Sequence, residues 1–294
     1  MPESTAVANG AAISAEDLRF SYGAVEAVKG ISFDIAPGEI FGFLGPNGAG
    51  KTTTIKMLTG QLRPDAGTVR ILGRDAGSDD PETQALIGVC FEEKNLYDAM
   101  SAEENLRFFA ALYGADGVDT DALLQRVGLA DRAKDRVGSY SKGMRQRLMV
   151  ARSILHQPMV LFLDEPTDGL DPVSSKAIRE IIREEAARGA AVLLTTHDMW
   201  EADELSHRVA FINEGQIYAI DTPENLKLQH GQRSVKVRRR AGAGVDEQSY
   251  ALDDPAVGEQ LRAAVQSEGL MTIHTEESTL ENIFVEMTGR TLEA

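Results

Sequence analysis

Residues 39 to 60 constrain the fold more than any other stretch of this chain. An apolar run, Ile40-Phe41-Gly42-Phe43-Leu44, reads as a short buried strand, and Thr52 to Leu58 reads as a helix that stops at Gly60. Between them, Gly45-Pro46-Asn47-Gly48-Ala49-Gly50-Lys51-Thr52 fits the pattern G-x-x-x-x-G-K-[ST] at every fixed position. Glycines let backbone N–H groups curl around phosphate oxygens where a side chain would block approach. The helix N-terminus adds unpaired donors and the positive end of its dipole. Lys51 then reaches β- and γ-phosphates, and the Thr52 hydroxyl, with Thr53 beside it, faces a magnesium ion. A glycine-rich turn before an ordinary helix is the bland alternative, and it leaves Lys51 and Thr52 together without a reason. The loop implies a bound nucleoside triphosphate.

Two further runs fix the fold class. Val160-Leu161-Phe162-Leu163 and Ala191-Val192-Leu193-Leu194 are apolar throughout, as in strands buried on both faces of a parallel sheet. Between them a helix is predicted from about Pro172 to Arg188, capped by Asp171, with Ile178, Ile181 and Ile182 facing the sheet. This strand–helix–strand unit makes the chain α/β and places a ligand at the carboxyl ends of the strands. Short alternating runs from Ile13 to Phe33, and Thr68 to Gly73, predict antiparallel strands beside that sheet. From about 95 to 155 the pattern is helical, with Leu106, Phe109, Ala110 and Tyr113 on one face and Leu123, Leu124 and Val127 on another.

The expected organisation is a flexible N-terminus over 1–12, a nucleotide-binding domain over 13–227 and a small α+β appendage over 228–294. In the appendage Ser234–Val237 and Gln248–Leu252 read as strands, Pro255–Gln266 as a helix, and Ser278 with Glu281 as a capping box before a last helix. The basic run Lys236-Val237-Arg238-Arg239-Arg240 reads as a solvated strand edge. A net charge of −16 argues against a general nucleic-acid binder. Apolar runs such as Met159–Leu163 span five residues, whereas a membrane helix needs about 20. No secretory signal is visible, and the single cysteine, Cys90, excludes an internal disulfide.

Chemistry concentrates where the strands end. Val160 to Leu163 delivers Asp164 and Glu165, the first suited to holding magnesium through oxygen and the second to deprotonating a water. A helix-cap role before Pro166 is the alternative. His197, in Thr195-Thr196-His197-Asp198, follows the next apolar strand and stands parallel to Glu165, within reach of a γ-phosphate.

With these residues in place the chain resembles the nucleotide-binding subunit of an ATP-binding cassette (ABC) transporter: a P-loop ATPase core with an antiparallel β subdomain and a helical subdomain. Tyr140-Ser141-Lys142-Gly143-Met144-Arg145-Gln146-Arg147 resembles that family's signature loop, and Thr167-Asp168-Gly169-Leu170-Asp171 its D-loop. The resemblance covers about 16–225. It implies two subunits dimerised head to tail, as a homodimer or heterodimer, with Ser141 and Gly143 of one closing over the ATP of the other. It also implies that Asp171 couples the two sites, that Tyr22 stacks on adenine, and that a separate membrane permease is driven from the cytoplasmic face. The Tyr-Ser-Lys-Gly-Met-Arg-Gln form and the tail Thr279-Leu280-Glu281-Asn282-Ile283-Phe284 resemble the branch serving exporters of drugs, antibiotics or sodium. The segment Asn95 to Met100 would help receive the permease, or belong to the core.

Two positions depart from the family pattern. Glu92 follows Ile87-Gly88-Val89-Cys90-Phe91 where the family has a glutamine that reaches magnesium; it either ligates the metal beside the nucleotide or faces solvent. Lys142 stands where glycine is usual, and either reaches the opposing ATP or extends to solvent. Rival readings are a soluble cassette ATPase acting on ribosomes or DNA, and an importer subunit. One phosphate loop, one cysteine and no long heptad run weigh against the first; the short tail weighs against the second.

Overall fold

The computed structural model describes residues 10–76, 80–91, 95–115, 117–231, 234–241, 244–252, 254–267, 269–276 and 278–289. The flexible segment expected over 1–12 therefore lies outside the described residues up to residue 9. So does Glu92.

Strands β1 (Ile13–Tyr22) and β2 (Val25–Ile35) form an antiparallel pair, followed by β3 (Ile40–Leu44) and helix α1 (Lys51–Leu58). Next come β4 (Ala66–Ile71), β5 (Arg74–Asp75), the single-turn α2 (Pro81–Gln84) and β6 (Ile87–Cys90). Helices α3 (Ala102–Leu112), α4 (Thr120–Arg126) and α5 (Lys142–Ile154) build the helical layer. The chain then alternates through β7 (Val160–Asp164), α6 (Pro172–Ala187), β8 (Ala191–Thr196), α7 (Met199–Leu205), β9 (Arg208–Asn213) and β10 (Gln216–Asp221).

The antiparallel sheet has the order β2-β1-β4-β5, and the central sheet β10-β9-β3-β8-β7-β6. Pairs β3/β8, β3/β9, β7/β8 and β6/β7 are parallel. Every residue of β3, β7 and β8 is buried, and strand periodicity divides them between two cores. Ile40, Leu161, Leu163, Val192 and Leu194 face the helical layer, with Ile178, Ile181 and Ile182 of α6. Phe41, Phe43, Phe162 and Leu193 face α1 and the antiparallel sheet. Phe33 stacks on Phe41 with centroids 5.6 Å apart and planes 12° apart, joining the two sheets. Emptying such a site, as in Phe162→Ala, costs about 3–5 kcal/mol.

Register then fixes the site. Leu44 pairs with Thr196, and Thr195 with Asp164, so the carboxyl ends of β3, β7 and β8 lie side by side.

The described residues form two compact units that part between Ile220 and Asp221. The second holds α8 (Pro223–His230), β11 (Ser234–Ala241), β12 (Gly244–Ala251), α9 (Val257–Gln266), β13 (Leu270–Glu276) and α10 (Leu280–Thr288). Helix α8 packs against α10, so the division falls ahead of α8 rather than within it. Two sequence expectations are corrected here. The basic run is not an edge: β11 is the central strand of β12-β11-β13, and β13 was not foreseen. Its charges are matched across the pair, Arg238 to Glu247 at 2.6 Å and Arg239 to Asp246 at 3.5 Å. The cap of α10 is Thr279, whose hydroxyl accepts from the Asn282 N–H at 3.2 Å, not a Ser278–Glu281 box.

Candidate active site

The glycine loop is held against β9 and β2 by close backbone approaches. A β-carbon at Gly45 would collide with the Ile212 carbonyl oxygen, and Gly50, at φ +104°, would bring one 2.7 Å from the Ala27 carbonyl. Only glycine fits either position. Gly50 also opens α1 without a side-chain cap, and no acidic residue stands in its first turn. Helices α4, α6 and α7 each carry an aspartate cap instead. The N–H groups that open α1 are left to a ligand, as an anion site requires.

Lys51, the first residue of α1, is buried. Its Nζ donates to the Gly45 carbonyl at 2.6 Å and the Pro46 carbonyl at 3.4 Å. The same atom lies 3.0 Å from Glu165 Oε1, a charge contact outside hydrogen-bond geometry. Thr52 Oγ1 donates to Asp164 Oδ2 at 2.8 Å, and Thr195 Oγ1 to Asp164 Oδ1 at 2.6 Å. Thr195 also accepts from the Glu165 N–H at 3.0 Å. Thr195 is thus a site residue that sequence reading missed; its signal was a threonine one step before the strand end, in register with Asp164.

Glu165 begins the turn after β7 with φ +48°, the left-handed region. That conformation costs a non-glycine residue about 1–3 kcal/mol and gathers at functional sites. His197 Nδ1 lies 3.0 Å from Glu165 Oε2, so the two strand-end residues meet. Cys90, buried beneath, has its thiol pushed up to about 12 by burial and offers no nucleophile. The cavity of about 480 Å³ lined by Asp119, Leu123, Arg126, Ile154 and His156 shares no residue with this site.

Lys51, Thr52, Asp164, Glu165 and His197 thus meet in one cluster at the carboxyl ends of the strands. Residues 28–168 match the model of the family described as ABC transporter. Over 275 residues the chain is 45% identical to the fluoroquinolones export ATP-binding protein of Mycobacterium tuberculosis, spanning 93% of this chain and 91% of that one. This chain belongs to the ATP-binding subunits of ABC transporters. It is also 33% identical over 308 residues to the linearmycin resistance ATP-binding protein of Bacillus subtilis, across 95% and 99% of the two chains. A solved ATP-binding subunit of an ABC transporter superposes with a TM-score of 0.68 at 30% identity, covering 74% of this chain and 92% of its own. The ABC subunit therefore binds nucleotide and is an ATPase, of a branch whose named members serve export.

The remaining residues of the ABC pattern lie elsewhere on the subunit. Ser141 caps α5, accepting from the Met144 N–H at 3.3 Å, which leaves its own O–H free to donate. Gly143 packs beside Ser174 and Asp171: a β-carbon there would lie 3.2 and 3.7 Å from them. Among the described residues no hydrogen bond or ion pair joins Ser141 or Gly143 to the glycine loop. Asp171 accepts from the N–H groups of Val173 and Ser174 at 3.0 Å, and from the Ser174 hydroxyl at 2.7 Å. The Ser174 hydroxyl is the main reason its carboxyl is held below the usual range. Tyr22 is half-exposed at the end of β1, edge-on to Phe20 at 4.9 Å, and so presents a face to solvent rather than to the core. Lys142 extends to Asp168, 3.1 Å away.

Proposed function

We propose that this subunit hydrolyses ATP within a head-to-tail pair of nucleotide-binding subunits and so drives a separate membrane permease that exports a drug, antibiotic, lipid or ion. The observation that carries this reading is the split constellation: the glycine loop, Asp164, Glu165 and His197 meet, while Ser141 and Gly143 do not join them. A site divided in this way is completed by a second subunit.

The role of each residue follows from its position. Backbone N–H groups from Gly45 to Thr53, with Pro46, Asn47 and Ala49 shaping the loop, hold the phosphates, and Tyr22 stacks on the adenine. Lys51 leaves Glu165 for the β- and γ-oxygens. Glu165 accepts a proton from the water whose oxygen attacks the γ-phosphorus. As that bond forms, the bond to the bridging oxygen breaks and ADP leaves with the electron pair. His197 fixes the Glu165 carboxylate through Nδ1 and faces the γ-phosphate. Ser141 and Gly143 of the second subunit donate to the same group, and Asp171 links the sites.

A hydroxyl and a carboxylate, Thr52 and Asp164, 2.8 Å apart, are the hard oxygen ligands that would hold a magnesium ion beside the phosphate oxygens. When bound, it supplies charge neutralisation at those oxygens. By the family resemblance, Glu92, which lies outside the described residues, would add a third ligand. Among the described residues no helix is long and apolar enough to cross a membrane, in keeping with a pore on another chain and a place on the cytoplasmic face.

Purification from membranes tests the reading. An integral membrane protein should accompany the subunit, and inside-out vesicles carrying both should accumulate the exported compound only with ATP. A subunit that instead sediments with ribosomes, free of membrane, supports the soluble alternative and overturns this one.

A further inference from the structure

Asp168, in the loop after β7, stands between Lys142 and His197, which belong to different parts of the machinery. Its Oδ2 accepts from Lys142 Nζ at 3.1 Å, and its Oδ1 lies 3.9 Å from His197 Nε2. His197 in turn holds Glu165 through its other nitrogen at 3.0 Å. A chain of side chains thus runs from the first residue of α5 to the hydrolytic carboxylate of the same subunit.

Three neighbouring features show that the Lys142–Asp168 contact is shaped rather than incidental. The lysine stem lies across Gly169, with Cε 3.5 Å and Cδ 3.8 Å from where a β-carbon would stand, and that β-carbon would collide with Nζ. Gly169 is also at φ +61°, so the loop turns under the lysine at the one residue that leaves room for it. On its other side the loop is anchored by Thr167, whose hydroxyl donates to the buried Glu201 at 2.5 Å. With Thr167 tied to α7 and Asp168 Oδ2 to α5, the other oxygen of the Asp168 carboxylate is turned toward His197.

We infer that Lys142 is a positioning residue for the hydrolytic centre of its own subunit: by holding Asp168 it sets the carboxylate that faces His197, and through it Glu165. The inference rests on the two-subunit reading above in one respect. If α5 of one subunit closes over its partner's nucleotide, then Lys142 connects the state of the partner's site to the base in its own. Glycine at this position could not make the connection.

Both side chains are substantially exposed, 52% for Lys142 and 38% for Asp168. Exposed pairs couple by no more than about 1 kcal/mol, so the effect on turnover is limited to roughly fivefold. Steady-state ATPase of the full chain with magnesium and ATP is measured for Lys142→Met, Lys142→Arg, Asp168→Asn and the double variant Lys142→Met/Asp168→Asn. Lys142→Met should lower kcat roughly three- to fivefold with KM within about twofold, and Lys142→Arg should restore most of it. The double variant should be no worse than Asp168→Asn alone, because both remove the same link. A rise in KM with kcat intact means that Lys142 touches the partner's nucleotide itself and overturns the inference. Additive losses, or no change in Lys142→Met, overturn it as well. Glu165→Gln run in parallel separates the two levels. If that variant turns over normally, the reading of the site has failed; if it stalls while Lys142→Met is neutral, only the inference has.

Discussion

Glu165→Gln probes the centre of the site from two directions at once. Lys51 Nζ and Glu165 Oε1 are 3.0 Å apart, with side chains only 6% and 10% exposed. At an effective dielectric of about 20 the gross attraction over that distance is about 5.5 kcal/mol. Desolvation of the two groups offsets most of it, leaving about 1–2 kcal/mol that the nucleotide must overcome to draw Lys51 away. Glutamine keeps the shape and removes the charge, while Lys51 retains the Gly45 and Pro46 carbonyls. ATP binding is therefore expected to tighten by roughly five- to thirtyfold. Turnover is expected to fall by about 10²–10⁴-fold, because the base is gone. Calorimetric titration with ATP reads the first effect and single-turnover hydrolysis the second, and size-exclusion chromatography should show an ATP-dependent dimer. Unchanged or weaker ATP affinity refutes the competition between Glu165 and nucleotide for Lys51. Hydrolysis at the normal rate refutes the assignment of the base.

Thr195→Val keeps the volume of the side chain but leaves Asp164 Oδ1 without its buried donor and the Glu165 N–H without one acceptor. A loss of about 1–3 kcal/mol is expected in urea unfolding, and an unchanged midpoint contradicts it. Glu201 has its pKa raised above 4.5, by burial first, with the Asp198 and Glu165 charges adding and the Thr167 hydroxyl and Arg179 opposing. The unfolded chain therefore ionises here before the folded one does. The contribution of Glu201 to stability is full below 4.5 and declines as pH rises through its raised folded value. Glu201→Gln should consequently gain on the wild type in melting temperature as pH rises above 4.5; a gap that narrows with pH refutes the sign. Glu92→Gln is expected to keep substantial ATPase activity in the assembled transporter, and a loss as complete as in Glu165→Gln would count against it.

The elements that carry the phosphate chemistry were legible because each is written locally. The glycine loop needs consecutive residues, and Asp164, Glu165 and His197 each follow an apolar strand that declares itself by composition. What joins them was less so. Thr195 reads as the last residues of a strand until the register of β7 and β8 sets it opposite Asp164. Lys142 and Asp168 are 26 residues apart, and only the packing of α5 against the loop after β7 brings them into contact. In the small second unit, β13 carries Met271 and Ile273 exposed, so burial gives it no alternation to read. The central place of β11 is likewise a fact about its two neighbours, and a run of arginines looks the same whether the facing strand is water or Glu247 and Asp246.

The backbone at Glu165 bears on how this position can drift over time. Glycine relaxes a left-handed turn that any branched or long side chain strains, and asparagine tolerates it better than glutamate does. A chain selected for folding alone would move toward those residues here. Glutamate here runs against the preference of its own main chain, so Glu165→Gly should relax the turn while removing the carboxylate that the proposed hydrolysis needs. Subunits of this kind that have ceased to hydrolyse should be the ones in which the turn has been released.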